Sequence, residues 1–114
     1  MIDWDQVLEL RDEVGAEDFG EVVDVFLEEV EQGLVDLQSA GSAAELESLL
    51  HLLKGCAWNL GFRAVGSLCA AGEGRAAAGD ADPVDKLELA KVYAESKAVF
   101  LAGLPARDIV LDAA

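Results

Sequence analysis

The residues best suited to chemistry stand at positions 51 to 63, His-Leu-Leu-Lys-Gly-Cys-Ala-Trp-Asn-Leu-Gly-Phe-Arg, around His51, the single histidine of the chain. Taken as a helix at about 100° per residue, this stretch and the residues before it put Leu46, Leu49, Leu50, Leu53, Ala57 and Leu60 on one stripe that must face a core. His51 lies roughly opposite that stripe, with Lys54 one turn on, Gly55 at the i+4 position and Trp58 two turns on. Glycine inside a helix costs about 0.5–1 kcal/mol relative to alanine, so Gly55 needs a reason. Helical side chains lean toward the N-terminus, and one at position 55 would lean over the imidazole; glycine leaves the ring open to a large reactant. Lys54 adds a positive charge on a flexible stem, suited to a tetrahedral anion on or approaching the ring. The pattern suggests phosphoryl chemistry on a histidine. The alternative is an ordinary solvent-facing histidine on a helical bundle that only binds other proteins.

Read as a whole, His51-Leu-Leu-Lys54-Gly55-Cys-Ala57-Trp-Asn-Leu60-Gly61-Phe62 resembles the signature of histidine-containing phosphotransfer (HPt) domains. The likeness extends to an N-terminal Asp-Trp helix, an acidic second helix with Phe26 and Leu27, and a Leu68-Cys69 pair followed by Glu73. Two positions depart from the family pattern. Gly72 stands where a leucine is more usual, which is expected to weaken helix packing locally, and Trp58 occupies a position that is usually small, which bears on partner choice.

The resemblance implies a phosphorelay carrier with His51 as phosphoacceptor, attacking through Nε2, and with Lys54 and Gly55 supporting it. A receiver domain bearing a phospho-aspartate would supply the group and a second response-regulator receiver would take it away, with a hybrid histidine kinase as a further implied partner. Neutral imidazole is the competent nucleophile. The expected docking face comprises Ser48, Leu52, Trp58, Asn59 and Arg63. No cofactor is expected on this chain; the divalent metal needed for transfer would sit on the partner receiver. The chain has no phosphate-cradling Gly-rich loop, so it should not phosphorylate itself from ATP. A second implied alternative is the histidine-bearing module of a chemotaxis-type kinase, similar in motif and fold. Monomer is the expectation from the family.

A length of 114 residues bounds the chain to one domain with a single core. No apolar run approaches the ~20 residues of a membrane helix, and Met1-Ile-Asp-Trp-Asp lacks the features of a signal peptide, so a cytoplasmic protein is expected. The formal charge of −15 argues against nucleic acid as a partner. Acids crowd the first 47 residues, where Arg11 is the only base, yet Ser48 to Gly72 contains no Asp or Glu. An acid-free window around a phosphate site is what the chemistry would require. Cys56 and Cys69 do not form a Cys-x-x-Cys pair and have no second ligand cluster beside them, so they read as buried, reduced thiols and no metal site is expected.

The elements that must position His51 are helices throughout. Asp3 caps a short helix to about Val14, with Gly15 as its stop. A second runs from about Ala16 to Ala40, with Phe19, Val22, Val23, Phe26, Leu27, Val30, Leu34 and Leu37 at helical spacing and Gly41 as its end. Ser42-Ala-Ala-Glu45 is a capping box that opens the histidine helix, and Gly61 closes it. A fourth helix, Phe62 to Ala78, turns Val65, Leu68, Cys69 and Ala76 inward despite Gly66, Gly72 and Gly74, which close helix contact would explain. Asp82-Pro83 reads as the start of a fifth, ending near Gly103 and Pro105, with Leu89, Val92, Tyr93, Val99 and Phe100 inward. The fold class expected is all-α: an antiparallel up-down four-helix bundle over 1–103 with the short first helix across one end. The tail, 104–114, either folds back through Ile109, Val110 and Leu111 or stays loose.

Overall fold

Each helix starts where a short acceptor side chain or a turn allows it. In a computed structural model that describes residues 1–107 and 109, the chain is all-helical. Its elements are α1 (Trp4–Val14), α2 (Phe19–Ser39), α3 (Ala43–Asn59), α4 (Arg63–Ala77) and α5 (Lys86–Gly103), with a 3₁₀ turn over Pro105–Arg107. Asp3 caps α1 by accepting the Gln6 N–H at 3.2 Å, and Gly15 stops it at a φ of 88°. Ser42 accepts the Glu45 N–H at 3.2 Å to open α3, while the Glu45 carboxylate reaches back to the N–H of Gly41 at 3.4 Å.

Three boundaries differ from the sequence pattern. Ala16–Asp18 form a turn, closed by the Asp18 N–H donating to the Gly15 carbonyl at 3.2 Å, so α2 begins at Phe19. At its other end α2 is capped by Ala40, and Gly41 follows as part of the linker to Ser42. Asp82-Pro83 precedes α5 without starting it. The Pro83 carbonyl accepts from Arg75 Nε at 2.7 Å and Val84 is buried, and the cap falls to Asp85, which accepts the Glu88 N–H at 3.0 Å.

Packing runs α2 on α3, α3 on α4, α4 on α5 and α5 back on α2, with α1 against α2 and α3. The extents, 44 × 21 × 20 Å, are those of a bundle two helix diameters across. Val23, Val30 and Leu37 of α2 share one core with Leu46, Leu50 and Leu53 of α3, Cys69 of α4 and Leu89 of α5. On α5 the buried stripe is Leu89, Tyr93, Ser96 and Phe100. Val99 stands one position, about 100°, off that stripe and is exposed, contrary to the inward place its spacing suggested. Tyr93 ties α5 to α2 by donating to Glu31 at 2.6 Å, and Lys97 joins the same carboxylate at 2.7 Å.

Gly72 does not loosen α4. A Cβ there would stand 3.0 Å from Leu50 Cδ1 and 3.3 Å from Val84 Cβ, so the missing side chain is what admits both. Gly33 of α2 does the same for Leu53, whose Cδ2 would lie 2.5 Å from an added Cβ. Cys56 and Cys69 are free and buried, and burial, reinforced by the negative Glu73, pushes the Cys69 thiol up to about 12. At the chain ends Trp4 stacks on Phe100 at 6.0 Å, with the Arg107 guanidinium 3.7 Å above its ring. Leu104 and Ile109 are buried; Val110 and Leu111 lie outside the described residues. No described helix is long and apolar enough to cross a membrane.

The close α2–α3 approach predicts a contrast between two glycines. Gly33→Ala should destabilise by about 1 kcal/mol net, because overpacking Leu53 at about 1–3 kcal/mol exceeds the ~1 kcal/mol gained in helix propensity. Gly74→Ala, which meets nothing within 4 Å, should gain up to about 1 kcal/mol. Urea denaturation of both variants reads the difference, and a Gly33→Ala protein as stable as Gly74→Ala would disprove the close contact.

Candidate functional site

The turn between α3 and α4 decides which side chains meet. The Phe62 N–H donates to the Ala57 carbonyl at 2.8 Å and the Gly61 N–H to that of Trp58 at 3.1 Å, a Schellman pair with Gly61 at a φ of 74°. A Cβ on Gly61 would also stand 2.5 Å from the Asp3 carbonyl oxygen and 3.1 Å from Val7 Cγ2. Glycine is therefore required twice over, by conformation and by space. From this turn α3 and α4 run antiparallel, and residues equidistant from Phe62 face one another. Trp58 lies over Gly66, four residues to either side, and His51 meets Glu73, eleven to either side.

Glu73 holds two partners at once. Its Oε2 is 2.7 Å from His51 Nδ1, and its Oε1 accepts from Lys54 Nζ at 2.6 Å. The imidazole is 71% exposed, whereas the carboxylate is only 18% exposed, so the ring projects into solvent from a sheltered anchor. The Lys54 ammonium, and next the His51 ring, hold the Glu73 carboxyl below the usual carboxylate range, against the opposing effect of desolvation. An ionised carboxylate can only accept, so Nδ1 must donate. In the neutral ring the proton then sits on Nδ1 and the lone pair of Nε2 faces outward.

This corrects one expectation and extends another. The window from Ser48 to Gly72 is acid-free in sequence but not in space, because the hairpin folds Glu73, the next residue, onto His51. The Lys54 ammonium, expected to face an incoming anion, also donates to Glu73 Oε1 at 2.6 Å, a partner the sequence pattern does not reveal. In the sequence Glu73 figures only in the family likeness, and nothing local to it marks a contact with His51. The available signal was its position, as far beyond Phe62 as His51 is before it.

The remaining candidates separate along the seam. A Cβ on Gly55 would meet no heavy atom within 4 Å, so the space beside the histidine turn is open. Ser48 is exposed, and so is Leu52. Asn59 turns back on its own helix, donating Nδ2–H to the Gly55 carbonyl at 2.9 Å. Trp58 rests on α4, where a Cβ at position 66 would lie 2.8 Å from its ring atoms, yet it keeps 40% of its surface exposed. Arg63 is not brought to His51. It opens α4 ten residues before Glu73, about 15 Å along the axis, with Nε 3.9 Å from Asp3 Oδ2. Among the described residues no group of three or more His, Cys, Asp or Glu is placed to share a cation.

Fold and site together define a class, a helical bundle that presents one imidazole, anchored through Nδ1, to solvent. The chain belongs to the Hpt domain family: the family model described as Hpt domain matches residues 21–98, from α2 through most of α5. No curated protein and no solved structure matches the chain. Hpt domains carry out histidine phosphotransfer in phosphorelays and interact with response-regulator receivers and kinases.

The tautomer is directly measurable, since one histidine gives one pair of ring-nitrogen signals. Long-range ¹⁵N–¹H spectra above the imidazole titration should show the Nδ1–H form predominating in the native protein. Glu73→Ala should shift the population toward Nε2–H, the form free imidazoles favour. An Nε2–H ring in the native protein would contradict the assigned hydrogen bond.

Proposed function

We propose that this protein is a phosphorelay carrier in which His51 accepts a phosphoryl group from a phospho-aspartate receiver and passes it to another. The observation that supports this best is the 2.7 Å contact of Nδ1 with Glu73 beneath a ring that is 71% exposed. The Nε2 lone pair attacks phosphorus, an N–P bond forms, and the acyl O–P bond breaks with its electron pair leaving on the receiver's aspartate. The Nδ1 proton stays where it is, held by Glu73, and steadies the positive charge that builds on the ring. Passage to the second receiver reverses these changes. Lys54 keeps the Glu73–Lys54 pair neutral overall, so the phosphoryl group does not approach an uncompensated carboxylate.

The divalent metal that assists transfer belongs to the receiver, and this chain contributes orientation and an unobstructed approach. We place the four longer helices in an antiparallel up-down bundle, as the short connections and the α3–α4 pairing suggest. The carrier is expected to work as a monomer in the cytoplasm.

The test is incubation with acyl-phosphorylated receiver domains from the same cell, followed by assay for acid-labile label. His51→Gln should abolish label while changing stability by less than about 0.5 kcal/mol, as expected of an exposed position. Label surviving that substitution would remove His51 as acceptor. Gly55→Leu should melt at or slightly above the native temperature, since leucine is the better helix former, yet transfer at least ~10-fold more slowly by filling the space beside the ring. Lys54→Ala should also slow transfer, having left Glu73 unneutralised. Normal transfer by Gly55→Leu would show that the open space serves no reactant.

A further inference from the structure

One position around α3 from His51, Leu52 faces a groove of about 650 Å³ whose other lining residues all come from α2. Buried Gly33, which lacks a side chain, lies among them. Val25, Val35 and Leu52 line it at 50, 63 and 46% exposure, so three large apolar side chains share one surface that no described residue covers. Glu28, Glu29 and Asp36 line the same groove. They differ from Glu31 beside them. Glu31 is engaged by Lys97 and Tyr93, whereas the other three have no cation within ion-pair distance among the described residues.

We infer that this groove selects the receiver that docks at His51, by taking an apolar side chain ringed by lysine or arginine on the border of the receiver's phospho-aspartate face. The inference rests on the phosphotransfer function proposed above and adds the partner's chemistry to it. Apolar walls supply burial, and the uncompensated carboxylates supply discrimination. A receiver with a basic border is attracted and oriented, while one with an acidic border meets like charge as its apolar contact closes. Leu52 is one position, about 100°, around α3 from His51, so the groove flanks the helix face that carries the imidazole. A second copy of this chain is disfavoured, because pairing across the groove would face two unneutralised acidic rims on molecules of formal charge −15. Nucleic acids and anionic membranes are repelled for the same reason.

The test uses the full chain and a panel of receiver domains from the same organism, chosen so that some carry basic and others acidic residues around the phospho-aspartate face. Calorimetric binding at low and high ionic strength is measured beside transfer of label to His51 over a range of receiver concentrations. The native chain should prefer basic-bordered receivers and lose affinity as salt rises. The triple variant Glu28→Gln, Glu29→Gln, Asp36→Asn should bind them about tenfold more weakly at low salt and lose most of the salt dependence. At saturating receiver its labelling rate should stay within about twofold of native, because His51, Lys54 and Glu73 are untouched. Val35→Ser with Leu52→Ser should weaken binding at both ionic strengths.

Native-like binding by the triple variant, or native preference for acidic-bordered receivers, overturns the inference, as does a panel in which no receiver binds. Receivers that bind with the expected charge pattern but never label His51 would sink the phosphotransfer function and leave the groove assigned. Normal labelling with unchanged half-saturation in the triple variant would do the reverse.

Discussion

At Gly61 two stretches of backbone come close enough to exclude any side chain. The Asp3 N–H donates to the Gly61 carbonyl at 2.7 Å, the Arg63 N–H donates to Met1 at 3.2 Å, and Ile2 pairs with Phe62 as an isolated bridge. This strap and the positive φ together hold the α3–α4 turn in one conformation. The register of the hairpin follows from it, and register is unforgiving on a helix. A slip of one residue rotates a side chain by about 100°. Such a slip would carry Glu73 away from His51 and Lys54, and would place a side chain where Gly66 now receives the ring of Trp58 and Gly72 receives Leu50. The geometry of the imidazole therefore depends on a turn eleven residues away, more than on its immediate neighbours.

A carboxylate beside a phosphate site is electrostatically awkward in a chain already carrying −15. The arrangement resolves this by division of labour within one short network. Glu73 fixes the ring orientation and the Nδ1 proton, tasks that need an acceptor with its pKa held low. Lys54 both lowers that pKa and cancels the charge that results. The two act as a pair: the carboxylate that holds the ring through Nδ1 is the one whose charge the ammonium offsets. The acid-free run from Ser48 to Gly72 has a narrower meaning in this light. It keeps acids off α3 from Ser48 onward, leaving Glu47, one turn before His51, as the acid of α3 nearest the ring in sequence.

Much of this was legible in the sequence where local chemistry decides. The capping residues Asp3 and Ser42, the stop at Gly15 and the turn at Gly61 act over a few residues, and each performs in the structure as its type implies. The leucine stripe of α3 was likewise readable, since a 3.6-residue period is intrinsic to one helix. What escaped depended on contacts between elements. The start of α5 lay with Asp85 because the Arg75 side chain holds the Pro83 carbonyl, a pairing across eight residues that no periodicity reports. Val99 looked inward by spacing, but the position of α2 and α4 chose Phe100 and Ser96 for the stripe. Gly72 looked like a weakness because its neighbours Leu50 and Val84 come from other parts of the chain. Glu73 escaped for the same reason.

The glycines carry one further consequence. In isolation each helical glycine costs about 0.5–1 kcal/mol, so each invites a physical reason. Gly33, Gly66 and Gly72 have one inside the molecule: Leu53, the Trp58 ring and Leu50 occupy the space a Cβ would need. Gly55 has none, for an added Cβ there touches nothing within 4 Å. Nothing in the structure explains Gly74, which is equally unencumbered and lies three residues from the end of α4. Gly55 stands four residues from the end of α3, so helix position does not separate it from Gly74; its place one turn beyond His51 does. Packing of the described residues does not account for it; under the phosphotransfer function proposed above, the open space would admit the reactive face of a docked receiver.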